Sequence, residues 1–249
     1  MKVIDIGIYD GADTAYYLQS GHTVLAIEAN PALCAGAAER FARHVQSGAL
    51  VILNVAISDR ESVELTISGQ DLGASSIYAE QVAKRFPLGS CRVKGRTLPD
   101  IIREHGHANF IKIDIEGADR QCVLSLTRDI APQWLSFEAP QDISELIWHL
   151  KSIGFGGFKA IQQTTFRALQ RQNRIVDRAA RKIIHLLGYS QPRYVRQRGR
   201  LFAVEHSAGP PPWESDGRFR TAEKMITQWD RAKAARQLQG WYDIHAVRE

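Results

Sequence analysis

The stretch Asp5-Ile6-Gly7-Ile8-Tyr9-Asp10-Gly11-Ala12-Asp13-Thr14 constrains this chain more than any other. It follows a short apolar run, Val3-Ile4, and leads into a helix-like segment, Thr14 to Gln19; a second apolar run, Val24-Leu25-Ala26-Ile27, then ends on Glu28. A strand, a glycine turn, a helix and a strand ending in a carboxylate form a unit that cradles a nucleotide. Glycine lets the backbone approach a ligand at φ values other residues avoid, and an acid at the end of the second strand accepts ribose hydroxyls. The spacing is D-x-G-x-x-x-G-x-x-T, not G-x-G-x-x-G. That pattern suits a cofactor without a pyrophosphate and points to S-adenosylmethionine (SAM) over NAD.

Strand-like and helix-like runs alternate from Lys2 to about Lys159. The strands expected are Val3–Ile6, Thr23–Ile27, Leu50–Asn54, Phe110–Asp114, Trp134–Phe137 and Phe155–Ile161. Helices are expected over Thr14–Ser20, Pro31–Val45, Leu98–Glu104, Arg120–Leu126 and Ile143–Ile153. Short strands separated by helices read as an α/β fold, a mostly parallel sheet with helices on both faces. Ser62–Ile67 and Arg92–Gly95 interrupt the alternation as added strands, with a polar loop, Ser68–Ser76, between them. Arg200-Leu201-Phe202-Ala203-Val204-Glu205 reads as a last strand.

The three prolines of Pro210-Pro211-Pro212 impose a non-helical stretch. Thr221–Leu238 patterns as an amphipathic helix, and the aromatic cluster Trp241-Tyr242 suggests a tail that docks. The expected organisation is therefore a domain over 1–206, with a helical insertion at about 166–190, and a C-terminal extension over 207–249.

With 249 residues the chain can bury a substantial core. Cys34, Cys91 and Cys122 are scattered without metal-site spacing, as in a reduced cytoplasmic protein. No apolar run approaches the ~20 residues of a membrane span, and Met1 leads directly into a strand. The net charge of +5 is unevenly placed: Arg167–Arg200 holds ten Arg and Lys against one acid, Asp177. Phe166, Leu169, Val176, Ala180, Ile183 and Leu187 fall near helical spacing within that segment. It reads as a packing helix or lid, as a site for an anionic acceptor, as a nucleic-acid contact or as a membrane-surface helix.

The second constellation is Phe110-Ile111-Lys112-Ile113-Asp114-Ile115-Glu116-Gly117-Ala118-Asp119. A buried-type strand ends in two carboxylates and a glycine turn. In a doubly wound sheet, ligands gather beyond the carboxyl ends of the central strands. Asp114 and Glu116 thus stand either beside a cofactor and its reaction partner or as caps of the next helix. Lys112 needs a carboxylate partner if buried.

With these motifs the chain resembles the FkbM-type SAM-dependent methyltransferases, a Rossmann-like class that methylates hydroxyls. The resemblance is carried by Asp5–Thr14, by Ala26-Ile27-Glu28-Ala29-Asn30-Pro31, by Asn54-Val55-Ala56-Ile57-Ser58-Asp59 and by Lys112–Asp119, with a weaker match at Leu135-Ser136-Phe137-Glu138. It implies a seven-stranded sheet with one antiparallel strand, here Leu201–Glu205. It also implies SAM as cofactor and an oxygen acceptor on a saccharide or small metabolite. Ile8 and Tyr9 replace the family's usual Ala and Asn.

The residues expected to hold SAM are Asp5, Gly7, Gly11, Thr14, Glu28, Ala29 and Asp59. Glu28 would accept from the ribose, and Asp59 would either meet the adenine amino group or stand in a polar loop. Asp114 and Glu116 are the expected catalytic residues, as a base or as ligands of a divalent cation. Glu138, Tyr242 and His245 are the next to consider around the acceptor. An RNA-directed methyltransferase or nucleic-acid-binding module, using the basic segment, is the alternative function.

Overall fold

The computed structural model of the chain describes residues 1–69, 75–82, 87–115, 117–169, 194–197, 199–203, 207–238 and 240–248. Seven strands form the central sheet: β1 (Lys2–Ile6), β2 (Thr23–Glu28), β3 (Leu50–Asn54), β7 (Phe110–Ile113), β8 (Trp134–Glu138), β9 (Phe155–Gln162) and β12 (Tyr242–Arg248). Their order is β3-β2-β1-β7-β8-β12-β9. Pairings from β3 to β8 are parallel, and β12 runs antiparallel to both neighbours, β8 and β9. The order reverses beside β1, which opens a crevice at the carboxyl ends of β1, β2 and β7.

Two hydrophobic clusters lie on opposite faces, because residues alternate along each strand. On one face Ile4, Ile6, Ile111, Ile113, Leu135, Phe137 and Ile244 pack under four helices: α5 (Leu98–His105), α6 (Asp119–Leu124), α7 (Ser144–Ser152) and α8 (Ala222–Ala234). On the other, Val3, Val24, Ala26, Leu50 and Phe110 meet α1 (Ala12–Gln19) and α2 (Pro31–Arg40).

The single helix expected over Pro31–Val45 is two. Asn30 caps α2 by accepting from the Ala32 N–H at 3.0 Å, and the chain bends at Phe41 (φ −106°, ψ 23°) before α3 (Ala42–Gln46). The bend lays the Phe41 ring against Gly11, where a Cβ would fall 2.7 Å from the ring. The interruption expected between Ser62 and Gly95 is a separate unit. β5 (Ser62–Ser68) and β6 (Pro87–Arg96) pair antiparallel, β4 (Ala56–Ile57) joins β6, and a short helix, α4 (Ala79–Val82), lies between.

The expected antiparallel strand, Leu201–Glu205, requires correction. Arg200–Ala203 (β11) pairs with Tyr194–Gln197 (β10) in a separate two-stranded ribbon. The ribbon rests on α1 through Phe202, whose ring lies 5.2 Å from that of Tyr16. The antiparallel place in the sheet belongs to Tyr242–Arg248. There Tyr242, Ile244 and Ala246 enter the core, while Asp243 and His245 face the other side. From residue 170 to 193, the expected basic helix lies outside the described residues. Among the described residues no helix is long and apolar enough to cross a membrane.

Among the described residues no helix covers the β8–β12–β9 half on the α1 side. The segment 207–220 does so instead. Trp213 packs edge-on against Phe110 and tilted on Trp134, at 5.2 and 5.8 Å, and the Lys159 ammonium lies 4.3 Å from the centre of the Phe219 ring. The prolines leave the Pro211 carbonyl free to accept from the N–H groups of Glu214 and Ser215, both at 2.9 Å.

A chain ending at residue 240 should lose cooperative thermal unfolding, read by calorimetry and near-UV circular dichroism. It would leave β9 without its neighbour and one edge of β8 open, and remove the buried apolar side chains of Tyr242, Ile244 and Ala246. A large buried side chain contributes about 1.5–3 kcal/mol against a typical total stability of roughly 5–15 kcal/mol.

Candidate active site

Lys112 is the centre of the carboxyl edge. It sits in β7 between β1 and β8, opposite Asp5 and Ser136, and its side chain is 5% exposed. Its ammonium donates to the Gly7 carbonyl at 2.8 Å. It lies 3.4 Å from Asp114, 3.5 Å from Asp5 and 3.7 Å from Asp13. Burial by itself would depress the lysine, but the carboxylates of Asp5, Asp114 and Asp13 outweigh it and hold the ammonium charged, above the usual lysine range. The sequence requirement for a carboxylate partner is thus met three times over.

The partners are themselves fixed. Thr14 donates its hydroxyl to Asp5 at 2.6 Å. Asp13, at the start of α1, accepts from the Ser207 hydroxyl and from the Ala208 N–H at 3.0 Å. Burial raises the Asp5 carboxyl, opposed by Lys112, and pushes Asp13 up to about 6, again against Lys112.

Around this cluster the first turn is laced to both neighbouring strands. Gly7 donates to the Ile27 carbonyl at 2.9 Å, and Asp114 donates to the Ile6 carbonyl at 3.0 Å. Gly7 has φ +83°, and a Cβ there would lie 1.8 Å from the Asp114 carbonyl oxygen, so no other residue fits.

The crevice itself is a small cleft of about 50 Å³. Gly7, Glu28, Ala29 and Asp114 line it, with apolar walls from Ile27, Val55, Ile57, Leu65 and Ile77. Glu28 accepts from the Asn30 N–H at 2.8 Å and from the Tyr9 N–H at 3.2 Å, one on each oxygen. Tyr9 adopts φ 46° to make that contact, a region costly for a residue with a side chain. Burial raises the Glu28 carboxyl, and the two backbone donors oppose the shift. Each carboxylate oxygen carries two acceptor sites, so both retain capacity for a ligand hydroxyl.

Of the expected cofactor residues, Gly7, Glu28 and Ala29 therefore meet at the cleft. Asp5 and Thr14 lie beneath it as supports of Lys112, and Gly11 fits the Phe41 bend. Asp59 stands exposed in the bend after β4, away from the lining. Of the expected catalytic pair, Asp114 lines the cleft with a side chain 42% exposed, and Glu116 lies outside the described residues. Among the described residues no group of three or more His, Cys, Asp or Glu is arranged to hold a metal ion.

Tyr242 is buried with its ring 5.7 Å from that of Trp229. His245 is buried with Nδ1 2.7 Å from the Ser215 hydroxyl; burial and nearby Lys159 hold it well below the usual histidine range, hence neutral. Glu138, at the end of β8, is half-buried.

Asp13, Asp243 and Gln163 were not singled out in the sequence. Asp13 lies within the first motif and carried a signal as an acid opening a helix. Asp243 and Gln163 come together only through the pairing of β12 with β9.

A cleft at the switch point of a mostly parallel sheet, with a glycine turn on one side and a strand-end acid facing it, defines a Rossmann-like fold. Residues 5–146 match the model of the methyltransferase FkbM domain, more than half of the chain, and the chain belongs to the FkbM methyltransferase family. No curated protein matches its sequence significantly.

Among solved structures, it is similar to a methyltransferase FkbM from Methylobacillus flagellatus KT, at 16% identity and TM-score 0.35 over 55% of this chain; it spans 32% of that protein. It is similar to a putative methyltransferase from Thermoplasma acidophilum at 12% identity, TM-score 0.40, over 100% of this chain and 68% of that one. A SAM-dependent methyltransferase from Thiobacillus denitrificans, in complex with S-adenosyl-L-homocysteine, aligns at 9% identity, TM-score 0.37, over 100% and 85%.

Two outcomes test the site. Asp13→Asn keeps an acceptor for Ser207 and removes a carboxyl whose native value is raised from 3.8 to about 6. A raised acid contributes its stability below its unfolded value and loses it as pH climbs to the folded one. Denaturant titration should therefore show the Asn variant gaining about 2–3 kcal/mol on the wild type between pH 4 and pH 6. Glu28→Ala should weaken binding of SAM and of S-adenosylhomocysteine by about 1–3 kcal/mol, the cost of unpaired ribose hydroxyls, in isothermal titration of a folded variant.

Proposed function

We propose that this protein transfers the methyl group of SAM to a hydroxyl of a saccharide or small metabolite. The observation that carries the reading is the cleft with Glu28 in its wall and Asp114 at its edge. Glu28 suits the ribose hydroxyls, the backbone around Gly7 suits the methionine portion, and the apolar side chains of Val55, Ile57, Leu65 and Ile77 suit a purine. SAM, when bound, supplies an electrophilic methyl carbon on a sulfonium.

Methyl transfer asks two things of the protein, alignment of two reactants and a destination for the acceptor's proton. Asp114 is the carboxylate at the cleft with side-chain exposure enough to meet an acceptor. Lys112 at 3.4 Å and the Asp114–Ile6 backbone bond hold it in place. The acceptor oxygen would attack from the Asp114 side and lose its proton to that carboxylate. The first turn, clamped by Lys112 and Ile27, keeps the cofactor side of the cleft from shifting during transfer.

Asp114→Asn keeps the size and removes the charge. It should lower the rate of methyl transfer by about 10²–10⁴-fold while the affinity for S-adenosylhomocysteine stays within a factor of about two. Full activity in this variant on an accepted alcohol would move the base elsewhere.

A further inference from the structure

Asp243 lies at the same edge of the sheet as Asp114, two strands further on. Its Cα pairs with Glu138 of β8 and with Ile161 of β9. The residue is 3% exposed. Oδ1 accepts from the Gln163 side-chain amide at 2.9 Å. Oδ2 is buried and has no hydrogen-bond partner among the described residues. Buried polar oxygens are nearly always paired, and an unpaired one costs stability. An amide or a small polar residue here would keep the bond to Gln163 without burying a carboxyl, so packing gives no reason for an aspartate.

The titratable groups that face it are Lys112 from β7, Asp114 just beyond that strand, and Asp13 and Tyr17 from α1, and Asp114 acts most strongly on it. With Glu138 between them on β8, the edge beyond the cofactor cleft carries a row of acids, Asp114, Glu138 and Asp243. Lys112 does not offset this row toward a ligand, because its ammonium is turned onto the Gly7 carbonyl, Asp5 and Asp13 as well as Asp114.

We propose that Asp243 Oδ2 hydrogen-bonds a second hydroxyl of the acceptor, adjacent to the one that Asp114 deprotonates, so that the substrate is an uncharged polyhydroxy compound and not a phosphorylated one. The proposal rests on the O-methylation reading above. In the reaction the acceptor oxygen forms a bond to the methyl carbon and the sulfur–carbon bond breaks, its electron pair staying on sulfur. The proton of the reacting hydroxyl passes to Asp114, and Asp243 undergoes no covalent change. A phosphate on the acceptor would meet the acids at the edge beside Asp243, Asp114 and Glu138, and be repelled. Burial, with Asp114 nearby, holds the Asp243 carboxyl well above the ordinary carboxylate range. It can therefore enter the contact as a neutral acid that donates to the hydroxyl oxygen.

The test compares the wild type with Asp243→Asn, both loaded with S-adenosylhomocysteine, and with Asp243→Ser should the amide fail to fold. Affinity for S-adenosylhomocysteine should agree within a factor of about two. The carboxyl is raised in the folded protein, so its contribution is present at low pH and lost as pH rises. Thermal unfolding should show the Asn variant equal to the wild type near pH 4 and about 2–4 °C more stable at pH 8. In the wild type, millimolar methyl glycosides and inositol should raise the melting temperature, sugar phosphates should not, and the rise should vanish in the variants.

A variant less stable at both pH values marks Asp243 as purely structural and overturns the proposal. So do equal shifts in wild type and variants, no shift with any neutral probe, or preference for the phosphates. Methyl transfer to the same probes is assayed in parallel. Asp243-dependent binding without transfer would end the O-methylation reading alone, and transfer indifferent to Asp243 would end this proposal alone.

Discussion

The ammonium of Lys112 and the carboxylates of Asp5, Asp13 and Asp114 hold one another in a place from which each alone would be expelled. A buried cation without partners costs several kcal/mol or sheds its proton. Three acids around one lysine reverse the problem, because the excess negative charge must then be moderated. Thr14, Ser207 and the Ala208 N–H do this for Asp5 and Asp13. Burial raises both acids against the pull of Lys112, so they take up protons at higher pH than exposed carboxyls do. The same ammonium grips the Gly7 carbonyl. The shape of the cofactor turn, the position of Asp114 and the docking of segment 207–209 on α1 thus follow from one ion.

The half of the fold nearest the first motif was legible because its signals are local. Short apolar strands, the Asn30-Pro31 helix start and the Glu28 strand end each announce themselves within a few residues. The antiparallel strand was not legible on those terms. Leu201–Ala203 is a short apolar run and Tyr242–Val247 alternates apolar and polar residues; both patterns are strand-like, and neither says which enters the sheet. Long-range contacts decide it. His245 finds Ser215 at 2.7 Å and Ile244 enters the core, whereas Leu201 remains 61% exposed on its ribbon.

The cleft divides the same way. Gly7, Glu28 and Asp114 could be placed from strand ends and a glycine turn. The wall formed by Leu65, Ser75, Ser76 and Ile77 comes from an inserted unit whose polar loop carries no periodic signal. Asp59 was read by its place after a strand, and the chain turns it outward while Val55, Ala56 and Ile57 take the wall. Asp243 needed the β9–β12 pairing before its neighbours could be known.

The place of β12 also sets an order on assembly. Gln163 and Asp243 are 80 residues apart in the chain, yet β8 and β9 are joined only through the strand that follows Gln163 so late. While the polypeptide is being made, β1, β2, β3, β7 and β8 can pair as they emerge, but β9 has no neighbour until residues 242–248 have been synthesised. Contacts of that sequence separation are slow to form. Until then the nascent chain carries two open strand edges, a template for pairing with other chains. Completion of the sheet therefore waits on residues 242–248, and a ribosome stalled before residue 242 would hold a chain able to shape the turn around Gly7 but not to join β8 to β9.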